Sequence, residues 1–311
     1  MKFEIAKSQL LDSLQTALLA VPTKSTLQIL NNFLFNLEGN ILEVSATDLD
    51  LGIRLKLEVQ GLQDGSIVVN ARKLVEIVKE QKDQAITIDV EDYQVKIQAA
   101  GFKANITGFD AMEFPALQQV QEDKQLSINS SELQFLAEKT LFAVSNDVTR
   151  LSLNGIYCEH ADDIMTFAAT DGHRLGKAQI EHTGGLWNTG VIIPPKALGY
   201  ILKIANMDTP LDIQIDETHI CFSTEKVQVI SKLIEGPYPK YQNVIPNDFE
   251  KIAVIEREEA ISVIRRIATM ANVRTRQITI VFNPGQAEVL TRNQDLGGEC
   301  REPMSLDYQG E

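Results

Sequence analysis

A short polar signature that returns at domain-scale spacing constrains this chain more than any other feature. Ala169-Thr170-Asp171-Gly172-His173-Arg174-Leu175 closes the apolar run Ile164-Met165-Thr166-Phe167-Ala168, and Ala46-Thr47-Asp48 stands 123 positions upstream. Phe114-Pro115 and Tyr238-Pro239 repeat at a spacing of 124. Such self-similarity marks a chain built from duplicated modules.

The hydrophobic periodicity agrees, in five passes of roughly 60 residues. The first has a strand at Phe3 and Ile5, then Leu10, Leu11, Leu14, Ala17 and Leu18 at helical spacing, with Ser8 as N-cap. Glu38-Gly39-Asn40 then joins two alternating runs as a hairpin, and a further strand runs from Gly52 to Val59. The second pass repeats the order: Ile67-Val68-Val69, a helix on Ala71, Leu74, Val75 and Val78, then alternation through Ile86, Ile88, Val90, Val95 and Ile97. The third has a helix capped by Ser130 or Ser131 and carrying Leu133, Leu136, Ala137, Leu141 and Val144, then strands at 153–158 and 164–168. After a Gly184-Gly185 loop, the fourth helix carries Leu198, Ile201, Leu202 and Ala205. The fifth carries Ala260, Ile261, Ile264, Ile267 and Ala268, followed by strands at 277–282 and 287–290. Thr291-Arg292-Asn293 stands where Ala-Thr-Asp would return.

One such unit cannot cover both its helix and its sheet, so units must pair. The fold class is therefore α+β, from repeated strand-helix-strands units. Hairpin signals outnumber crossovers, which makes the sheets mostly antiparallel. The expected domains are 1–120, 125–246 and 251–311, the last being the first half of a third, with linkers at 116–124 and 246–251. An odd half-domain leaves an open sheet edge, so the sequence is expected to be cut short of a sixth unit.

The bulk chemistry excludes several functions. The net charge is −14 (29 Lys+Arg against 43 Asp+Glu), which taken alone opposes a tight electrostatic grip on nucleic acid. Three distant cysteines, Cys158, Cys221 and Cys300, make no disulfide framework and fit a reducing cytoplasm. No apolar run reaches the roughly 20 residues of a membrane span. Asp171 and His173 supply half of a catalytic pair, but no nucleophile elbow, phosphate loop or zinc motif accompanies them. No cofactor, metal site or intrinsic catalysis is expected.

The modules and the run Ala169–Leu175 resemble the bacterial β sliding clamps, the processivity subunits of DNA polymerase III. Arg150-Leu151-Ser152-Leu153-Asn154-Gly155, Glu235-Gly236-Pro237-Tyr238-Pro239-Lys240-Tyr241 and Glu113-Phe114-Pro115-Ala116-Leu117 carry the resemblance further, over the whole chain. It implies a homodimeric ring of DNA-clamp domains, helices inside and sheets outside, closed around double-stranded DNA without sequence preference. It implies as partners the replicative polymerase subunit, the clamp loader, and replication and repair proteins bearing a short clamp-binding peptide. By motif, the peptide groove between domains two and three maps to Leu153, Thr170, Gly172, His173, Arg174, Leu175, Pro239 and Val244. Leu153, Leu175 and Val244 would give an apolar floor, and Thr170 and Arg174 hydrogen bonds at the rim. The competing reading is a plain Asp-Gly turn.

The ring also resolves the charge puzzle. Basic residues placed on or beside helices would line its hole: Lys24, Arg72, Lys73, Lys79, Lys139, Lys196, Lys203, Arg265 and Arg266, with Lys82 and Arg257 among the other helical cations. Lys196 and Lys203 are seven apart, on one stripe opposite Leu198 and Ile201. The competing reading is ordinary solvated helix faces. Leu151 and Ser152 replace two aromatic residues that the family often shows. The ring interface maps to Ile106 against Thr269 and Met270 of a second subunit, internal packing being the alternative. A protein-interaction scaffold that never encircles DNA is the remaining competitor.

Overall fold

Among the described residues five α-helices form, at the sites where apolar residues recur with a period near 3.6: α1 Lys7–Ala17, α2 Ala71–Lys79, α3 Ser130–Glu138, α4 Pro195–Ile204 and α5 Arg257–Ala268. The computed structural model describes residues 1–120, 124–184, 187–205, 209–246 and 248–308. Parts of the expected linkers, Gly185 of the glycine loop and the last three residues of the expected third domain lie outside the described residues.

Each helix turns its apolar stripe inward. Leu10 and Leu14 of α1, Leu74 and Val78 of α2, Leu133 and Leu136 of α3, and Leu198 and Ile201 of α4 are buried in one continuous core. Burial of a side chain of this size contributes about 1.5–3 kcal/mol. The opposite stripe of α4 leaves Lys196 and Lys203 exposed.

The sheets are antiparallel throughout their recorded pairings. The largest has eight strands, in the order Lys124–Asn129, Pro210–Ile215, His219–Ser223, Val227–Lys232, Leu51–Glu58, Ile41–Thr47, Asn32–Glu38 and Gly65–Asn70. Its central pairing, Val227 with Leu55 through Ser231 with Leu51, joins a strand of the first pair of modules to one of the second. Residues 1–240 thereby form one compact unit. A five-stranded sheet ends on Phe102–Thr107, and a four-stranded sheet is built around Ile156–Ala161 and Ile164–Thr170. The second unit, from Tyr241 onward, has its own core, with Val263 and Ile267 of α5 against Ala287, Val289, Met304 and Leu306.

Several sequence expectations need correction. Ala6, not Ser8, occupies the N-cap of α1, and no side chain caps that helix end. Asn129, not Ser130 or Ser131, precedes α3, with its backbone N–H donating to Glu132 Oε2 at 3.1 Å. This is the reciprocal half of a capping box, which favours Asn as much as Ser. Ser130 instead joins chain segments: its N–H donates to the Thr209 carbonyl and its hydroxyl accepts from Thr209 N–H. α3 stops at Glu138, so Leu141 and Val144 are not part of it; Leu141 opens a separate 3-10 turn. Lys82 lies beyond α2, and Lys139 is the residue after α3. Leu153 ends a 3-10 turn, and the strand begins only at Ile156. The strand Gly298–Asp307 escaped the sequence reading because charged residues and Pro303 interrupt its alternation.

Candidate functional site

The signature at Thr170 is a turn built by its own side chains. Thr170 Oγ1 donates to the Arg174 carbonyl at 2.7 Å and accepts from Gly172 N–H at 3.1 Å. Asp171 Oδ1 accepts from His173 N–H and Arg174 N–H, each at 3.0 Å, and Oδ2 accepts from Arg174 Nε at 3.0 Å. Gly172 sits at φ +88°, a conformation L side chains rarely adopt. The two backbone bonds from His173 and Arg174, with the Arg174 side chain after them, hold the Asp171 carboxyl down at about 2.

The surroundings brace this turn from residues that its sequence pattern does not contain. Thr170 N–H donates to Tyr238 Oη at 3.0 Å. The Tyr238 ring stacks on Tyr157, centroids 5.1 Å apart and planes 26° apart. Gly190 makes room for Tyr157: a Cβ there would lie 2.1 Å from the phenol ring. The Arg174 guanidinium lies 5.7 Å from the centre of the Phe142 ring, a cation–π distance. Arg150 is the neighbour of Gly172, its Nη1 3.4 Å from where a Cβ would stand. Tyr238 and Arg150 lie inside the quoted motifs, but nothing in their spacing shows which group they brace.

The expected groove residues fall into three sets. Thr170 through Leu175 form the turn, with Gly172, His173 and Arg174 exposed and Leu175 half-buried. Leu153 is buried at the end of the 3-10 turn that follows Arg150, and Pro239 is exposed beside Tyr238. Val244 belongs to the second unit, at the end of the 3-10 turn Tyr241–Val244, and is 73% exposed. The Thr170 hydroxyl is engaged within the turn rather than offered at a rim. A larger hollow of about 770 Å³ lies elsewhere in the first unit, between α1 and the strands around Leu55. Its lining carries Asp12, Glu38, Glu43, Glu58 and Glu225 against Lys56 and Lys226, which suits no phosphate.

The same geometry is unlike that of a catalytic pair. Asp171 directs its oxygens to two backbone N–H groups and Arg174, and His173 is exposed rather than set in a cleft. Burial holds Cys158 well above its ordinary thiol range and raises Cys221 to about 11, so both stay protonated. Among the described residues no three His, Cys, Asp or Glu side chains gather as a metal site requires, and no helix is long and apolar enough to cross a membrane.

The candidate basic residues are all exposed, but their charges are not equally free. Lys73 pairs with Glu76 at 2.7 Å. Lys196 pairs with Asp48, its ammonium also 5.5 Å from the Tyr200 ring centre. Burial works to lower the Lys196 ammonium, but the Asp48 hydrogen bond and charge outweigh it, and the net shift is upward. Arg266 is held by Glu302 through Nε and Nη2 and by the Ser262 hydroxyl. Arg72 donates to the Pro22 carbonyl at 3.1 Å, and Lys139 lies over Phe135. Of the nine, Lys24, Arg72, Lys79, Lys139, Lys203 and Arg265 make no ion pair among the described residues.

Of the expected interface residues, Ile106 is half-buried on Phe102–Thr107, an outer strand of its sheet. Thr269 is the C-cap of α5, and Met270 follows it. Leu151 is 64% exposed at the start of its 3-10 turn, and Ser152 is half-buried.

Comparison with known proteins bears on all of this. The family described as DNA polymerase III beta subunit, N-terminal domain, matches residues 1–118, and the family described as its central domain matches residues 127–240. The beta sliding clamp of Caulobacter vibrioides is 31% identical over 320 residues, spanning 100% of this chain and 86% of the relative. That of Vibrio cholerae is 28% identical, again over 100% of this chain and 86% of the relative. A crystal structure of the Pseudomonas aeruginosa sliding clamp bound to griselimycin superposes with a TM-score of 0.95 at 28% identity, covering 100% of this chain and 85% of that one. The DNA polymerase sliding clamp of Bacillus subtilis gives 0.94 at 29%, with coverage of 100% and 85%.

Proposed function

The chain belongs to the DNA polymerase III beta subunit family, the bacterial β sliding clamps, and from that premise we propose that the braced turn at Thr170–Leu175 is where its partners dock. The protein is a processivity factor of DNA replication. As a homodimeric ring it encircles duplex DNA and tethers the replicative polymerase, with the clamp loader and other peptide-bearing replication and repair proteins as further partners. It is an accessory subunit and not itself catalytic. Its place of work is the cytoplasm, with the chromosome.

The observation that carries the docking site is the turn itself. Bonds within the turn and the Tyr238 hydroxyl on Thr170 N–H brace its backbone, so His173, Arg174 and the apolar edge of Leu175 are presented on a preformed turn. A docking peptide then meets a surface whose ordering entropy has already been lost, which favours affinity per contact. Within the same unit Pro239 adds exposed apolar area to the proposed groove, and the buried Leu153 supports it from the core. The exposed cations on and beside the helices are the proposed DNA-facing set, and Ile106 with Thr269 and Met270 the proposed ring contact. An outer strand such as Phe102–Thr107 offers unpaired backbone groups to a second chain.

Primer extension on a long template tests the docking site. With polymerase and loader present, the protein lengthens the products of each binding event. Arg174→Ala with His173→Ala is expected to shorten them while leaving the protein on DNA. Unchanged product length in the double variant would place docking elsewhere.

A further inference from the structure

The turn of the Thr170 signature recurs at the three corresponding positions of the repeat, Asp48, Asp171 and Asn293, and these copies differ in one informative detail. In the first, Asp48 Oδ1 accepts from Asp50 N–H at 3.2 Å and Leu51 N–H at 2.8 Å, and Thr47 Oγ1 donates to the Leu51 carbonyl at 2.9 Å. In the second, Asp171 and Thr170 make the same bonds to His173 and Arg174. In the third, Asn293 Oδ1 accepts from Asp295 N–H at 3.1 Å and Leu296 N–H at 3.3 Å. Leu49 even adopts φ +81°, close to the +88° of Gly172, although a leucine there is strained.

One carboxylate oxygen builds the turn, and the other needs a partner. Asp171 Oδ2 finds it inside the turn, in Arg174. The equivalent of Arg174 in the first copy is Leu51, which carries no charge. Asp48 Oδ2 instead takes Lys196 from the first turn of α4. Asn293 carries no charge, and its Nδ2 donates to the Met270 carbonyl at 3.1 Å.

We infer that Asp48 is an intramolecular competitor for Lys196, holding this lysine away from DNA phosphates and so keeping the ring's grip weak enough to slide. The inference rests on the DNA-encircling function above. A lysine already satisfied by a carboxylate must give up that partner before it neutralises a phosphate. The exchange therefore yields less affinity than a free lysine would. The pair is partly exposed, so the competition is modest: exposed pairs of this kind correspond to about a 1.4- to 5-fold change in an equilibrium constant. Lys203, two turns on along the same stripe of that helix, makes no ion pair among the described residues and serves as the unrestrained comparison.

Asp48→Asn tests this without dismantling the turn, because Asn293 already does the turn-building job in the third copy. Asp50→Asn removes the same charge two residues away and does not touch Lys196. Equilibrium binding of the full chain to a short fluorescent duplex is measured at low salt for the wild type, both single variants, Lys196→Ala and Asp48→Asn with Lys196→Ala. Asp48→Asn is expected to bind about two- to fivefold tighter than the wild type, more than Asp50→Asn, with the gain gone when Lys196 is also replaced. Equal gains in Asp48→Asn and Asp50→Asn, or a gain that survives Lys196→Ala, would overturn the inference alone. A wild type that neither binds duplex nor stays on closed circles would overturn the encircling function, and this inference with it.

Discussion

Tyr238→Phe isolates one brace of the proposed docking turn. The substitution keeps the ring that stacks on Tyr157 at 5.1 Å and removes only the hydroxyl that accepts from Thr170 N–H at 3.0 Å. That N–H is partly buried, so water replaces the lost partner incompletely. A neutral hydrogen bond contributes about 0.5–1.5 kcal/mol net, and about 1 kcal/mol is the expected loss here. In a unit of this size that lowers the melting temperature by about 2–4 °C. It also raises the open fraction around Thr170 by about fivefold. Amide hydrogen exchange reads this directly: the Thr170 amide exchanges about fivefold faster in the variant. The His173 and Arg174 amides change less, because Asp171 Oδ1 still holds both at 3.0 Å. Unchanged protection of Thr170, or equal acceleration at all three amides, would refute the claim that Tyr238 anchors this one position.

Two more perturbations follow from the same geometry. Gly190→Ala puts a Cβ into the Tyr157 ring, which cannot swing away without leaving its stack on Tyr238; about 1–3 kcal/mol of destabilisation is expected in chemical denaturation, with weaker partner binding, whereas wild-type stability would mean that the ring moves freely. The Asp171 carboxyl is depressed from an ordinary 3.8 to about 2, so its contribution to turn order is complete above about pH 4 and lost as pH falls through about 2; a carboxyl resonance titrating near 4 would contradict this.

The sequence revealed the repeat, the five helices and the mostly antiparallel sheets because each rests on local periodicity or on a signature that recurs. The turn at Thr170–Leu175 was legible for the same reason. What braces the turn was not. Tyr238 lies 68 residues from Thr170, and the Gly190–Tyr157–Tyr238 stack is a relation among three strands or loops that no local pattern encodes. Helix placement likewise set Lys196 and Arg266 among the expected DNA-facing residues without showing their partners. Their partners, Asp48 and Glu302, lie 148 and 36 residues away, where spacing rules for helix pairs do not reach. The helix starts misread at Ser8 and Ser130 show the limits of cap preference. Asn129 outranked the serines by position, and α1 begins directly from a strand with no polar cap.

Lifetime on DNA before and after a single cut tests the central claim most directly. Protein loaded on a closed circle is followed by fluorescence, and a nuclease then opens the circle once. A ring held by topology, with phosphate contacts only weak, stays on the intact circle at moderate salt and leaves within the time needed to slide to the new ends. Equal lifetimes on circular and cut DNA would mean that the protein grips DNA rather than encircling it.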